Sequence, residues 1–226
     1  DTSLDLPTGG AGGTQVKEAG LPARGLEAAG TDSTSNSETT VGTLAFNAED
    51  GAPVITIDGT AVTGTLGQQF VHAGVGTLTI TSYTYDAASG NGSIGYSYTL
   101  ADNTSGDATH DDFLVVVTDK DGDHTDKTLV INIADDAPIA NADTDSVTEG
   151  SGNLATGNVV LGGTDEGDSN FTDGTADVAG ADSFNGAVVG VAAGNTGATL
   201  VDGTTVGTAV SGTYGVLLLN ANGSYS

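Results

Sequence analysis

Short runs rich in apolar and β-branched residues punctuate this chain, and seven stand out as strand candidates: Thr43–Asn47, Val54–Ile57, Gly76–Ile80, Ser82–Asp86, Tyr96–Leu100, Phe113–Val117 and Thr128–Ile133. Ser82–Asp86 and Tyr96–Leu100 show the alternation of half-buried strands, which places one set of side chains on one face of a pleated ribbon. Tyr83 with Tyr85, and Tyr96 with Tyr98, show the period most plainly. Between the runs lie turn residues: Glu49-Asp50-Gly51, Asp58-Gly59, and Asn91-Gly92, which predicts a hairpin between two tyrosine-bearing strands. Short strands separated by turns every ~8–12 residues predict a β-sandwich of immunoglobulin-like type.

The clearest segment is 111–141, DDFLVVVTDKDGDHTDKTLVINIADDAPIAN. Two strands flank a turn rich in aspartate, and the second strand empties into Asp135-Asp136-Ala137-Pro138. That acidic proline segment reads as a joint, since proline biases Ala137 towards extended backbone. Val16-Lys17-Glu18 opens the stretch before the joint, and Val147-Thr148-Glu149 opens the one after it. Gly215–Leu219 matches Gly76–Ile80, and Asn222–Ser226 resembles Asn91-Gly92-Ser93 and its continuation. The expected organisation is a linker or tail at 1–15, a sandwich at 16–134, an acidic linker at 135–146 and a second sandwich at 147–226. The second repeat has no counterpart of Tyr98–Leu100, of the VVVTDKDGD hairpin or of the last strand. The predicted fold class is therefore all-β: tandem immunoglobulin-like β-sandwich repeats, the second one truncated. Unpaired strand edges left this way invite self-association; a fragment boundary gives the same pattern.

Composition agrees with strands and adds a charge. Of 226 residues 36 are glycine, aromatic residues make up 5%, and Trp, Met and Cys are absent. Without cysteine there is neither a disulfide framework nor a thiolate metal site. Thirty acids against four bases give a formal charge of −26, and Lys17, Arg24, Lys120 and Lys127 all precede Asn141. Such a surface repels nucleic acid and anionic lipid, so neither is an expected partner. No run approaches the ~18 apolar residues of a membrane span, and DTSLDLPTGG lacks the regions of a signal peptide. Export would then be directed by a part of the protein outside this sequence. Self-repulsion on this scale is commonly relieved by cations, and carboxylate oxygens outside cells select Ca2+. The alternative is that the acids serve only to keep a β-rich chain soluble.

Glu18-Ala19-Gly20-Leu21-Pro22, the segment Val115–Asp123 (VVVTDKDGD), Asp135-Asp136-Ala137-Pro138 with Asn141, Asp143 and Glu149, and Tyr214–Tyr225 occur in this order. In their order and spacing the chain resembles the tandem immunoglobulin-like, cadherin-like (VCBS-type) repeats of giant RTX adhesins exported by type I secretion. The resemblance covers nearly everything after residue 15. It implies a non-enzymatic extracellular stalk on a bacterial cell surface, used in attachment and biofilm formation, whose domain joints are rigidified by calcium. Its partners would be neighbouring repeats of the same polypeptide. The RTX nonapeptide GGxGxDxUx is absent, so this would be the repeat region rather than the β-roll.

Asp119, Asp121 and Asp123 alternate, so a turn can converge their carboxylates on one ion. An EF-hand loop it is not: His124 stands where the loop's glycine belongs and Val130 where its bidentate glutamate belongs. The strand Thr128–Ala134 carries the chain away from that turn. On that basis Glu18 is expected beside Asp119, Asp121 and Asp123, at the opposite end from the joint. A second site is expected at the joint, from Asp135, Asp136, Asp143 and Glu149. The six acids of 165–182 form either a further site or a polar insertion.

Catalysis finds no motif. His72, His110 and His124 lack the spacing of a zinc site, and neither GxSxG nor a P-loop is present. With thirty acids a carboxylate pair of glycosidase type arises by chance, so the expectation is that the chain is not an enzyme. Two other readings remain: a module binding carbohydrate or a host surface through its tyrosines, and a fibre subunit completed by strand donation.

Overall fold

The computed structural model describes residues 1–9, 12–150, 152, 154–161, 174–184, 188–194 and 205–226, in two units, Asp1–Ala137 and Pro138–Ser226. The boundary falls inside the acidic linker read from the sequence. Among the described residues no helix is long and apolar enough to cross a membrane.

The first unit is an all-β sandwich. Its strands are β1 (Thr2–Asp5), β2 (Gln15–Lys17), β3 (Thr39–Ala48), β4 (Val54–Ile57), β5 (Thr60–Ala61), β6 (Gln69–His72), β7 (Gly76–Tyr85), β8 (Asn91–Leu100), β9 (Ala108–Thr118) and β10 (His124–Ala134). One sheet has the order β1-β3-β8-β7-β6 and the other β2-β10-β9-β4-β5. Alternation does what the sequence requires of it. Leu44, Phe46, Leu78, Ile80, Ile94, Tyr96 and Tyr98 from one sheet, and Ile55, Ile57, Phe113, Val115, Val117, Leu129 and Ile131 from the other, are all buried. Each such side chain contributes about 1.5–3 kcal/mol through apolar area removed from water.

Residues 1–15 differ from the expectation of a tail. β1 pairs antiparallel with β3, and β2 pairs parallel with the last residues of β10. Leu4 and Val16 are buried; one apolar anchor per short strand leaves no period to read. The hairpin also lies elsewhere than Asn91-Gly92. Asn91 and Gly92 are the first residues of β8, opposite Asn47 and Phe46, and the turn is 86–90, where the Asp86 carboxylate accepts from Ala88 N–H and Ser89 Oγ. Gly92 serves a close approach instead: a Cβ there would lie 2.0 Å from Phe46 Cζ. Gly76–Ile80 and Ser82–Asp86, read as two strands, form the single strand β7, bulged between Ile80 and Ser82. A bulge resets the alternation and so mimics a break.

Gly76 offers a test of packing. A Cβ at this position would sit 2.1 Å from Tyr98 Oη, so Gly76→Ala must displace a buried phenol. We expect a loss of about 1–3 kcal/mol, read from the urea midpoint; a change under a few tenths would mean that the tyrosine yields freely.

Among the described residues of the second unit the strands are β11 (Gly157–Asn158), β12 (Ala209–Ser211), β13 (Val216–Leu218) and β14 (Ser224–Tyr225). β11 pairs with β14 and β12 with β13, in two-stranded ladders. The strand read at Gly215–Leu219 is present as β13, and the Asn222-Gly223 turn closes with Gly223 N–H donating to the Asn220 carbonyl.

Candidate metal centres at the two ends of the first unit

β9 and β10 run the length of the sandwich, so their common turn and their free ends lie about 35 Å apart at ~3.4 Å per residue. Acids gather at both ends. At the turn, Asp50, Asp119 and Asp121 each present a carboxylate oxygen, all within 4.8 Å of one another. Two oxygens bound to one Ca2+ at about 2.4 Å can be no further apart than about 4.8 Å, so the spacing suits a single ion. The Asp119 side chain has no exposure. Its Oδ1 accepts from Gly122 N–H at 3.2 Å and Asp123 N–H at 2.9 Å, an arrangement that fixes the turn and leaves Oδ2 aimed at the cluster. The nitrogen of Asp1 lies 3.2 Å from Asp50, 3.5 Å from Asp119 and 3.9 Å from Asp123, so these carboxylates point to one place. A hydrogen bond with Asp121 holds the Asp119 carboxyl below its ordinary value. The same contact, with the Asp119 charge, raises Asp121.

Asp50 was not legible as a member. It reads as a turn residue in Glu49-Asp50-Gly51, and only the pairing of Val54 with Thr118 brings that turn beside Asp119. Glu18 is a correction. It does not join Asp119, Asp121 and Asp123, because β2 runs parallel to β10, with Lys17 opposite Ala134. Glu18 therefore emerges at the far end, and its carboxylate comes within 4.8 Å of that of Asp135.

Glu18 is wholly buried, in a single 3-10 turn, Glu18–Gly20. Its Oε1 accepts from Thr104 N–H at 2.7 Å and Thr104 Oγ1 at 2.8 Å. Asp136, also buried, is taken up differently: its carboxylate accepts from both the N–H and the hydroxyl of Thr31, anchoring the loop after Gly30. Asp143 and Glu149 belong to the second unit. There Asp143 is half-buried against Gly174, whose Cβ would meet Asp143 Oδ1 at 2.6 Å, and Glu149 is exposed. Of the acidic stretch 165–182, residues 165–173 lie outside the described residues; Asp177 Oδ1 accepts from Asn141 N–H at 2.7 Å. The cluster of Asp50, Asp119 and Asp121 has the all-oxygen donor set that can hold a hard metal ion; at the other end the first unit contributes two carboxylates, Glu18 and Asp135.

A third group was not anticipated from the sequence. Asp111, 5% exposed, accepts from Tyr98 Oη at 2.8 Å and lies 2.5 Å from His72 Nδ1. His72 Nε2 lies 3.3 Å from Asp58, and the imidazole stacks on Phe113 at 4.5 Å. Asp111 occupies an inward position of β9 that alternation assigns to an apolar residue, and that misfit was the available signal. By contrast His110 pairs with Asp112 at 2.9 Å on the surface.

No protein-family model matches this sequence, and no curated protein or solved structure matches it.

Proposed function

We propose that the chain is a non-enzymatic extender segment of a bacterial cell-surface adhesin, working outside the cell in attachment and biofilm formation, with Ca2+ rigidifying the joints between repeats. The observation that carries this reading is the placement of acids at both ends of one sandwich. Asp50, Asp119 and Asp121 gather at one end, and Glu18 with Asp135 at the other, where the chain passes on to its next unit. Carboxylate-rich sites of irregular geometry favour Ca2+ over Mg2+, which demands a near-ideal octahedron and keeps its waters.

Two further observations support it. Both ring nitrogens of His72 face carboxylates, so this histidine has no nitrogen free to act as a general base. Tyr96 and Tyr98 are buried, and burial pushes the Tyr96 hydroxyl up to about 12, so these two serve the core; Tyr83, Tyr85 and Tyr225 are half-buried and Tyr214 is exposed.

Calorimetric titration with Ca2+ and with Mg2+, paired with solution scattering, tests the proposal. Calcium uptake with a longer particle is expected, and magnesium should do neither. No calcium uptake at millimolar concentration would sink the reading. Glu18→Gln sharpens it: the amide oxygen still accepts from Thr104, but the charge is gone. This variant should keep the chelator-treated stability of the parent within about 1 kcal/mol and lose the calcium response of that end. An unchanged response would remove Glu18 from the ligand set.

A further inference from the structure

The polar group between the sheets does more than fill space. Its members come from both layers: His72 from β6, an edge strand of one sheet; Tyr98 from β8, in the same sheet; Asp111 from β9; and Asp58 from the β4–β5 turn of the opposite sheet. His72 Nδ1 meets Asp111 Oδ1 at 2.5 Å and Nε2 meets Asp58 Oδ2 at 3.3 Å. A neutral imidazole has one N–H, so one of its nitrogens would turn a lone pair towards a carboxylate. Only the imidazolium satisfies both contacts.

We propose that protonated His72 is a latch that clips the β6 edge of one sheet to β9 and the β4–β5 turn of the other, and that its deprotonation releases that edge.

The surrounding groups favour this. The titratable groups facing His72 are Asp111, Asp58 and, through Asp111, Tyr98. The rest of β6 and the adjoining start of β7 contribute no ionisable side chain. His110 and Asp112 pair with each other on the surface. Asp111 is buried and needs a partner for its charge. Tyr98 supplies one hydrogen bond, and the phenol stays protonated because burial and the neighbouring carboxylate hold it far above its ordinary value. The imidazolium supplies the countercharge. Asp58 is fixed in turn: it has φ 48°, and its Oδ1 accepts from Leu114 N–H at 2.9 Å, which aims the other oxygen at the ring.

The sign of the pH dependence follows. The hydrogen bond to Asp111 raises His72 above 6.5 despite partial burial. A raised histidine contributes stability that is complete below its unfolded value, near 6.5, and that is lost as pH rises through the folded value. The latch therefore holds below the folded value of His72, as long as Asp58 and Asp111 stay ionised, and opens as pH rises through that value.

Imidazole nitrogen NMR on the wild-type chain tests the charge state without a variant. At pH 6, below the ordinary histidine value, both His72 nitrogens should be protonated in the folded chain, and a single-NH tautomer at that pH would overturn the proposal. Thermal unfolding from pH 6.5 to 9.5 reads the consequence. The wild type should lose roughly 4 °C for each pH unit by which the folded value exceeds the unfolded one, beyond any loss in His72→Gln. Parallel curves for the two proteins would reduce His72 to a packing residue and overturn the latch. Asp58→Asn should move the His72 titration to lower pH, and an unmoved titration would also count against it.

Discussion

Withdrawal of calcium by a chelator is expected to lower the unfolding midpoint of the first unit by about 10 °C. An ion that binds the folded state alone, at a hundred times its dissociation constant, stabilises by about 2.7 kcal/mol. In a domain of this size each kcal/mol moves the midpoint by about 3–5 °C. The effect arises from repulsion the fold itself imposes. Asp119 is fully enclosed and cannot turn away from Asp50 and Asp121. Proton linkage gives an independent check. Asp119, depressed by its bond with Asp121, contributes stability above its ordinary value that is lost as pH falls through the folded one. Asp121 is raised, so its ionisation opposes folding until a cation neutralises the pair. Calcium should therefore bind more weakly as pH drops into the carboxylate range and should release protons there. A midpoint that ignores calcium, magnesium and chelator alike would reduce the acids to solvation.

Phe113→Ala should cost about 3–5 kcal/mol, the range for truncating a buried phenylalanine. Phe113 is fully buried on the central strand of the second sheet and touches both sides of the polar group. It stacks on His72 at 4.5 Å with an interplanar angle of 5° and meets Tyr98 edge-on at 5.9 Å. Removing the ring opens a cavity beside a buried carboxylate, and water entering it would weaken the ion pair as well. Urea unfolding should show a lower midpoint with an unchanged slope. A loss below about 1 kcal/mol would mean that the site collapses to fill the gap.

Much of the first unit could be read from its sequence. Phe113–Val117 and Thr128–Ile133 bury alternate residues as written, because a strand with one face on the core has no other register. The acidic turn between them was equally plain. Partners that depend on distant pairing were not. Nothing local to Asp50 says that its turn lies beside Asp119, and nothing local to Glu18 says that β2 runs parallel to β10 rather than antiparallel to it. That single choice of direction moves Glu18 from one end of the sandwich to the other. Asn91-Gly92 misled for a different reason: the dipeptide is a turn signal only where the backbone can tighten, and here Phe46 covers the glycine.

The parallel pairing of β2 with β10 has a consequence for a chain pulled from both sides. Tension entering before Gln15 and leaving after Ala134 draws the two strands past each other along their length. The ladder of Gln15, Val16 and Lys17 with Asn132, Ile133 and Ala134 is then loaded in shear, so its hydrogen bonds must fail together rather than peel open one by one. This short ladder, at the start of the stretch read from the sequence as the sandwich, is the clasp by which the sandwich would resist being drawn out.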